Sequence, residues 1–374
     1  MNRRRMAFIT MGSWFCTFQR PHHFASNWRE FFNICVINHK AMLAPDDAYS
    51  AEERDIVDSI LNVYSLRGGG RLPFINDVNE KIRGYQYKRR FGSDPFRGAE
   101  VVYTWNVQNL DYLGYCGDKV LIYDAMDDWA AFDGAATDEI TENERRVAGR
   151  ADIVLAVSDK IYDRLVRVNP NTHLLRNGVD AEYFGSAQDY KKSEADILYK
   201  HRDKKLVGYV GHISTWVDID LIIETAKILD PCVFVVIGPI KKSLANKFDG
   251  IKNILYLGPK PYSELVSYIS YFDAGIIPFK MNLLNESTNP IKMYEYLGAG
   301  LPVVSTGMQE VAKYEKEGVV YIGNTPEEFS AKILEALKTS SDEELAAERM
   351  RIARDNSWHS KADFVLHLIE NARR

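Results

Sequence analysis

No apolar run in this sequence approaches the roughly 18–20 residues that a helix needs to cross a bilayer, so no membrane-spanning segment is read from it. Cysteine is scarce: Cys16, Cys35, Cys116 and Cys232 are widely spaced, with no CxxC pair. That spacing excludes a disulfide framework and argues against a structural zinc site. Cys35 and Cys232 fall inside apolar runs, where a thiol behaves as a small hydrophobe. Net positive charge is also missing. Lys and Arg number 47 against 52 Asp and Glu, a balance of −5, which excludes a protein that coats a polyanion over its whole surface. There is no G-x-G-x-x-G fingerprint, so a dinucleotide-dependent dehydrogenase loses its main support. The first residues, MNRRRMAFITMG, join a charged start to only a short apolar stretch, which fits a first β-strand better than a signal peptide. The expected location is cytoplasmic.

What is present is an α/β rhythm on a chain of 374 residues, long enough for two domains with separate cores. Short apolar, β-branched runs lie at 7–11, 33–38, 62–66, 101–105, 120–124, 153–157 and 172–176. A second set lies at 206–210, 232–238, 253–258, 274–279, 301–306 and 319–322. Continuous apolar runs mark strands covered on both faces, the habit of parallel sheets with crossover helices. The expected fold class is α/β: two doubly wound Rossmann-like domains facing across a cleft, with a C-terminal helix. The polar segment 185–204 is read as the seam. This gives a first domain over 1–185, a second over 204–356 and a terminal helix over 357–374. Ala362, Val365, Leu366 and Ile369 form that helix's apolar face, and it is expected to pack back on the N-terminal domain.

Ligands of open α/β sheets bind beyond the carboxyl ends of strands, which narrows the search to strand-to-helix loops. After the run at 274–279, polar residues Ser287, Thr288 and Asn289 lead to Pro290, which opens an amphipathic helix. Such a helix start offers free N–H groups and a positive dipole end to a phosphate. Lys292 adds a full charge in the first turn, and Glu295 lies three residues on, along the same face. A cation for diphosphate oxygens beside a carboxylate for ribose hydroxyls would hold a nucleotide sugar. A capped surface helix with an ordinary i,i+3 ion pair would look the same. Gly208, Gly211 and His212, Gly238, and Gly258 with Lys260 fall at other strand ends, where tight turns are the alternative to close approach of a ligand. Asp218 and Asp220 have an Asp-x-Asp form but are read as helix-start carboxylates, and no metal ligand is assigned.

In the first half, VLIYDAMDDWAAF (120–132) puts Asp127 and Asp128 just past a strand end. A carboxylate there could deprotonate an acceptor hydroxyl. Asp is equally a preferred helix cap. His22 and His23, after the first strand, are the competing base candidates or else solvated or capping residues. Gly12 and Ser13 are placed at the rim of the same site. From Arg67 to Arg97 eight Arg and Lys face three acids, a local +5 that leaves −10 for the rest. Tyr85, Tyr87, Phe91 and Phe96 are interleaved, and Gly68–Gly70 precede them. That pattern suits an anionic membrane surface or a diphospholipid acceptor rather than nucleic acid, with a solvated helix face as the alternative.

Three stretches, NPIKMYEYLGAGLPVVST (289–306), LGPKPYSELVSYISYFDAGIIPF (257–279) and RNGVDAEYF (176–184), resemble the nucleotide-sugar signature of GT-B glycosyltransferases in order and spacing. The resemblance extends over nearly the whole chain and is strongest from 206 to 325. Within that superfamily it looks closest to bacterial exopolysaccharide enzymes, including the membrane-associated glucuronosyltransferase of xanthan assembly. It implies that the 204–356 domain holds the donor and the 1–185 domain the acceptor, that Lys292 holds the diphosphate and Glu295 the ribose, and that backbone around Gly258 meets the nucleobase. The stretch 120–132 resembles the DD-W/F motif of the same enzymes, and Asp127, with Asp128 second, is the favoured catalytic base. The resemblance further implies a UDP-sugar donor, no metal or other cofactor, a polyprenyl-diphosphate-linked or other glycan acceptor, and peripheral attachment to the cytoplasmic face of the inner membrane through 67–97. Two departures leave the stereochemistry open. Retaining members carry a glutamate where Ser287 stands, with Glu286 one place off, and basic residues where 208–220 has only His212. A nucleotide-sugar epimerase and an inactive nucleotide-sugar-binding partner are the other readings.

Overall fold

The computed structural model describes residues 3–14, 18–41, 56–65, 73–91, 94–132, 137–193 and 196–372. Cys16 and the 67–71 stretch lie outside the described residues, as do the side chains of Arg90 and Phe91. The chain forms two units, one made of Met1–Arg176 with Lys361–Arg374, the other of Asn177–Ser360.

The first unit is built on a seven-stranded sheet of order β3-β2-β1-β4-β5-β6-β7. Its strands are β1 (Arg4–Ile9), β2 (Phe32–Ala41), β3 (Ser59–Ser65), β4 (Ala99–Thr104), β5 (Val120–Ala125), β6 (Ile153–Ala156) and β7 (Thr172–Leu174). Every pairing is parallel, with Ala7 opposite Cys35 on one side of β1 and Val102 on the other. β5 and β6 are buried along their whole length, because helices cover both faces. The strand order reverses between β1 and β4, so the exits of those strands flank the crevice where such sheets bind ligands. The helix Trp358–Ala372 buries Ala362, Val365 and Ile369 on one stripe, and its Ala362 carbonyl accepts from Trp28 Nε1 at 3.1 Å.

The second unit repeats the plan in six parallel strands of order β10-β9-β8-β11-β12-β13. They are β8 (Leu206–Val210), β9 (Val233–Ile237), β10 (Ile254–Tyr256), β11 (Ala274–Ile277), β12 (Val303–Ser305) and β13 (Val320–Ile322). Its crevice falls between β8 and β11. The units divide at Arg176/Asn177, ahead of the seam placed at 185–204. The reason is packing: Val179, Phe184, Ala187 and Leu198 are buried in the core of the second unit, although the charged residues around them are exposed.

Candidate active site

In the C-terminal unit, the loops leaving β8, β9 and β10 are tied to one another. Gly211 N donates to Ile237 O at 2.9 Å, Gly238 N to Gly258 O at 2.9 Å, and Ile213 N to Pro239 O at 2.8 Å. Gly238 has φ +140, and a Cβ there would stand 2.0 Å from the Gly211 carbonyl oxygen. Only glycine allows these two turns to meet. Three of the glycines singled out in the sequence thus lie together at one edge of the sheet.

The next loop on that edge follows β11. Asn282 caps the helix Leu283–Glu286 by accepting from Asn285 N at 3.0 Å. The buried Asn285 holds the loop by donating to Lys280 O at 2.7 Å and Trp216 O at 3.1 Å. Thr288 Oγ1 donates back to Leu284 O at 2.9 Å. Asn289 is buried and clasps Asn177. It accepts from the Asn177 N–H at 2.9 Å, and its own carbonyl accepts from Asn177 Nδ2 at 2.7 Å. Thr288 and Asn289 therefore shape the loop with their side chains. The helix Ile291–Gly298 starts at Pro290 without any side-chain cap, so no capping oxygen occupies its start.

Lys292 and Glu295 are joined at 2.7 Å on this helix; Glu295 is buried and Lys292 half-buried. Beside Glu295 the rings of Tyr183 and Tyr262 stack at 5.1 Å, and the Tyr183 hydroxyl donates to the Tyr262 carbonyl. Burial first, and then the Glu295 charge, push the Tyr262 hydroxyl far above its ordinary value. Neither tyrosine was singled out from sequence, although both lie in the quoted segments RNGVDAEYF and LGPKPYSEL. Lys260 lies over the Tyr268 ring at 5.4 Å. His212 is exposed, edge-on to Trp216 at 5.4 Å, and partial burial lowers its pKa. Asp218 caps the helix Ile219–Ile228 by accepting from Leu221 N, and Asp220 pairs with Lys247, so both act as helix-start carboxylates.

In the N-terminal unit the exit of β5 carries three aspartates. Asp124 is fully buried. Asp127 is half-buried, and its pKa is pushed up to about 7 by burial, then by the charges of Asp124 and Asp128, with Arg20 opposing. Asp128 is buried and accepts from Arg164 at 3.2 Å, while Arg164 also meets Glu144 at 2.8 Å. The carboxylate of Asp128 caps no helix, because the short helical turn Trp129–Ala131 has no side-chain cap.

For His22 the structure shows the capping alternative. The residue stands in the first turn of the helix Arg20–Trp28, where its Nδ1 accepts from Gln19 N at 3.0 Å and its Nε2 donates to Trp14 O at 2.6 Å. Both ring nitrogens are committed and burial pulls its pKa down to about 4, so the ring is a neutral structural tie. His23 packs edge-on against Phe18 at 4.7 Å. Gly12 is exposed and Ser13 half-buried at the exit of β1. Sequence reading missed a buried network at this edge. His39 Nδ1 contacts Thr10 O at 2.7 Å and its Nε2 meets Tyr87 OH at 2.9 Å, while Asn106 Nδ2 donates to Thr10 O at 2.8 Å.

The basic stretch is sorted by the helix Pro73–Phe91. Tyr87 and Phe96 are core residues rather than interfacial ones, and Arg83 is buried against Asp111. Val78, Lys81, Tyr85, Lys88 and Arg89 are exposed, and their spacing of 3, 4, 3 and 1 puts them on one helical face. No helix of the described residues is long and apolar enough to cross a membrane.

Residues 191–355 match the family model of glycosyl transferases group 1. TuaH of Bacillus subtilis (strain 168), whose description assigns it to teichuronic acid biosynthesis as a glycosyltransferase, is 29% identical over 262 residues. That match covers 66% of this chain and 65% of TuaH, just under two thirds of the relative's length. Among solved structures, Anabaena Alr3699/HepE in complex with UDP and glucose superposes with a TM-score of 0.69 at 13% identity, over 98% of this chain and 100% of that one. Sucrose-phosphate synthase from Thermosynechococcus elongatus gives 0.70 at 13%, over 99% of each chain. WaaG, a glycosyltransferase involved in lipopolysaccharide biosynthesis, gives 0.65 at 13%, over 97% of this chain and 99% of that one. At these identities the structures speak for the fold alone, two Rossmann-like units of the GT-B kind. The xanthan branch has no counterpart among these relatives.

Proposed function

We propose that this chain is a group 1 glycosyltransferase that moves a sugar from a UDP-sugar to a lipid-linked or glycan acceptor in bacterial cell-surface polysaccharide synthesis. The observation that carries the reading is the Lys292–Glu295 pair at the uncapped start of a helix on the ligand edge of the C-terminal sheet, inside the segment that matches the family. Lys292 and the first-turn amides take the diphosphate oxygens, and Glu295 accepts from the ribose hydroxyls. As a base, Asp127 takes the proton of an acceptor hydroxyl as its oxygen bonds to the anomeric carbon. The bond from that carbon to the diphosphate breaks, and UDP leaves with its charge met by Lys292 and the helix end. This scheme needs no metal. The description of TuaH supports a cell-envelope glycan as product, and a diphospholipid acceptor would be met at an anionic membrane through the Lys81–Arg89 face.

The test is a screen of radiolabelled UDP-sugars with bacterial membrane extract as acceptor. Label should enter the solvent-extractable lipid or glycan fraction with the native chain and fail to do so with Asp127→Asn, which still binds UDP. Turnover of the UDP-sugar without any acceptor would mark an epimerase instead. UDP binding without turnover, unchanged by Asp127→Asn, would mark an inactive partner.

A further inference from the structure

Two residues before the strand-exit turn that holds Asp127, β5 ends its run with a buried ion pair. Asp124 Oδ2 accepts from Arg20 Nε at 2.7 Å and from the Tyr103 hydroxyl. Arg20, Tyr103 and Asp124 are all fully buried. Arg20 NH1 reaches on to the Leu175 carbonyl at 2.6 Å, so this one guanidinium spans the first helix, β5 and the chain just after β7. A buried pair of this kind stabilises little relative to an apolar replacement, yet it fixes geometry and sets the local field. Asp124 Oδ1 is buried with no hydrogen-bond partner among the described residues, so the charge of Asp124 is not fully quenched by its neighbours.

We propose that the Arg20–Asp124–Tyr103 cluster is the positioning device for the Asp127 carboxyl: it locks the β5 exit and keeps a negative charge behind the reactive group. The inference rests on the reading of Asp127 as the base. The groups that act on Asp127 are Asp124 from β5, Asp128 from its own turn and Arg20 from the first helix. Behind them stand Tyr103 on β4, the Glu144–Arg164 pair that holds Asp128, and Lys361. The Lys361 ammonium is itself pulled down to about 8 by burial and by Arg20 and Arg176. Burial is the first cause of the raised Asp127 pKa, and Asp124 adds more to it than Arg20 takes away, so the pair supports a carboxyl that keeps its proton to near-neutral pH. A base of that strength can accept a hydroxyl proton at physiological pH and release it to water afterwards.

The experiment is a pH titration of the Asp127 side-chain carboxyl by 13C NMR on the full chain labelled at aspartate, with the resonance identified by its loss in Asp127→Asn. The native midpoint should lie near neutrality. Asp124→Asn should lower it by about one unit or more, and Arg20→Gln should raise it. The paired replacement Arg20→Met with Asp124→Leu leaves no lone buried charge, and it too should lower the midpoint. A native midpoint at the ordinary value of about 4 overturns the inference. So does a midpoint that stays put in Asp124→Asn and in the paired variant. Transfer activity retained by Asp127→Asn, by contrast, removes the base assignment and leaves the titration result standing.

Discussion

At the scale of single residues, Lys292 tests the donor site most directly, because it is the one cation of the pair that a diphosphate can reach. Truncating it to Ala removes a charge-assisted contact of about 1.5–3 kcal/mol, so UDP affinity measured by calorimetry should fall roughly ten- to a hundredfold. The same change leaves Glu295 buried without its 2.7 Å partner, so the melting temperature should fall as well. Lys292→Ala with Glu295→Gln should recover the melting temperature without recovering the affinity, which separates the two roles. Unchanged UDP binding in Lys292→Ala would falsify the phosphate assignment. Asp127 carries the opposite trade. Its folded-state pKa of about 7 lies above the ordinary 3.8, so its ionisation is unfavourable in the fold. Native stability attributable to this group is full below the unfolded value and is lost as pH rises through the folded one. Asp127→Asn should therefore unfold at higher denaturant than the native chain at pH 8, by roughly 1–3 kcal/mol, with the gap closing near pH 4. That Lys292 and Glu295 share one helix and that Asp127 follows a strand end was readable, because strand ends and helix starts leave local signals. Arg20 was not, since its partner Asp124 is 104 residues away and nothing local announces the pairing.

Among the elements, the strands were the most legible part, because a strand buried on both faces must be a short, unbroken apolar run. All thirteen runs read as strands are strands of the two sheets. The Pro-His-His segment was legible only in part, as a possible cap for the next helix. Read as a loop, it is the first turn of a helix that His22 closes by taking the Gln19 N–H, an act that needs a neutral imidazole. His39, at the end of β2, is neutral for the same physical reason, with burial pulling it down to about 4. For both histidines the unfolded chain binds a proton at higher pH than the fold does. Their contribution to stability is present above about 6.5 and lost as pH falls towards about 4. Urea unfolding should show stability declining across that window by roughly 2–3 kcal/mol per histidine, with the slope reduced in His39→Asn. A slope that is the same in His39→Asn and in the native chain would remove that histidine from the account.

For the molecule as a whole, average composition hid two things. The first is the division of the chain, where a few buried anchors from Val179 to Leu198 outweigh the polar residues that surround them. The second is charge. A net −5 conceals the positive face of the helix Pro73–Phe91, on which Lys81, Lys88 and Arg89 surround an exposed Tyr85 and Val78. Only part of the basic stretch is available for such a surface, because Arg83 is consumed by Asp111 inside the fold. Each basic side chain near an anionic leaflet contributes about 1 kcal/mol, and the exposed tyrosine suits the headgroup region. Reversing Lys81, Lys88 and Arg89 to Glu together should thus weaken cosedimentation with phosphatidylglycerol-containing vesicles by on the order of a hundredfold or more. Vesicles of phosphatidylcholine alone should bind neither form, and added salt should weaken the native chain's binding steeply. Because these residues belong to the first unit and the proposed donor residues Lys292 and Glu295 to the second, UDP affinity should be unaffected by the reversal. Binding to anionic vesicles that survives the triple reversal would move the membrane contact off this helix and leave its charges as a solvated face.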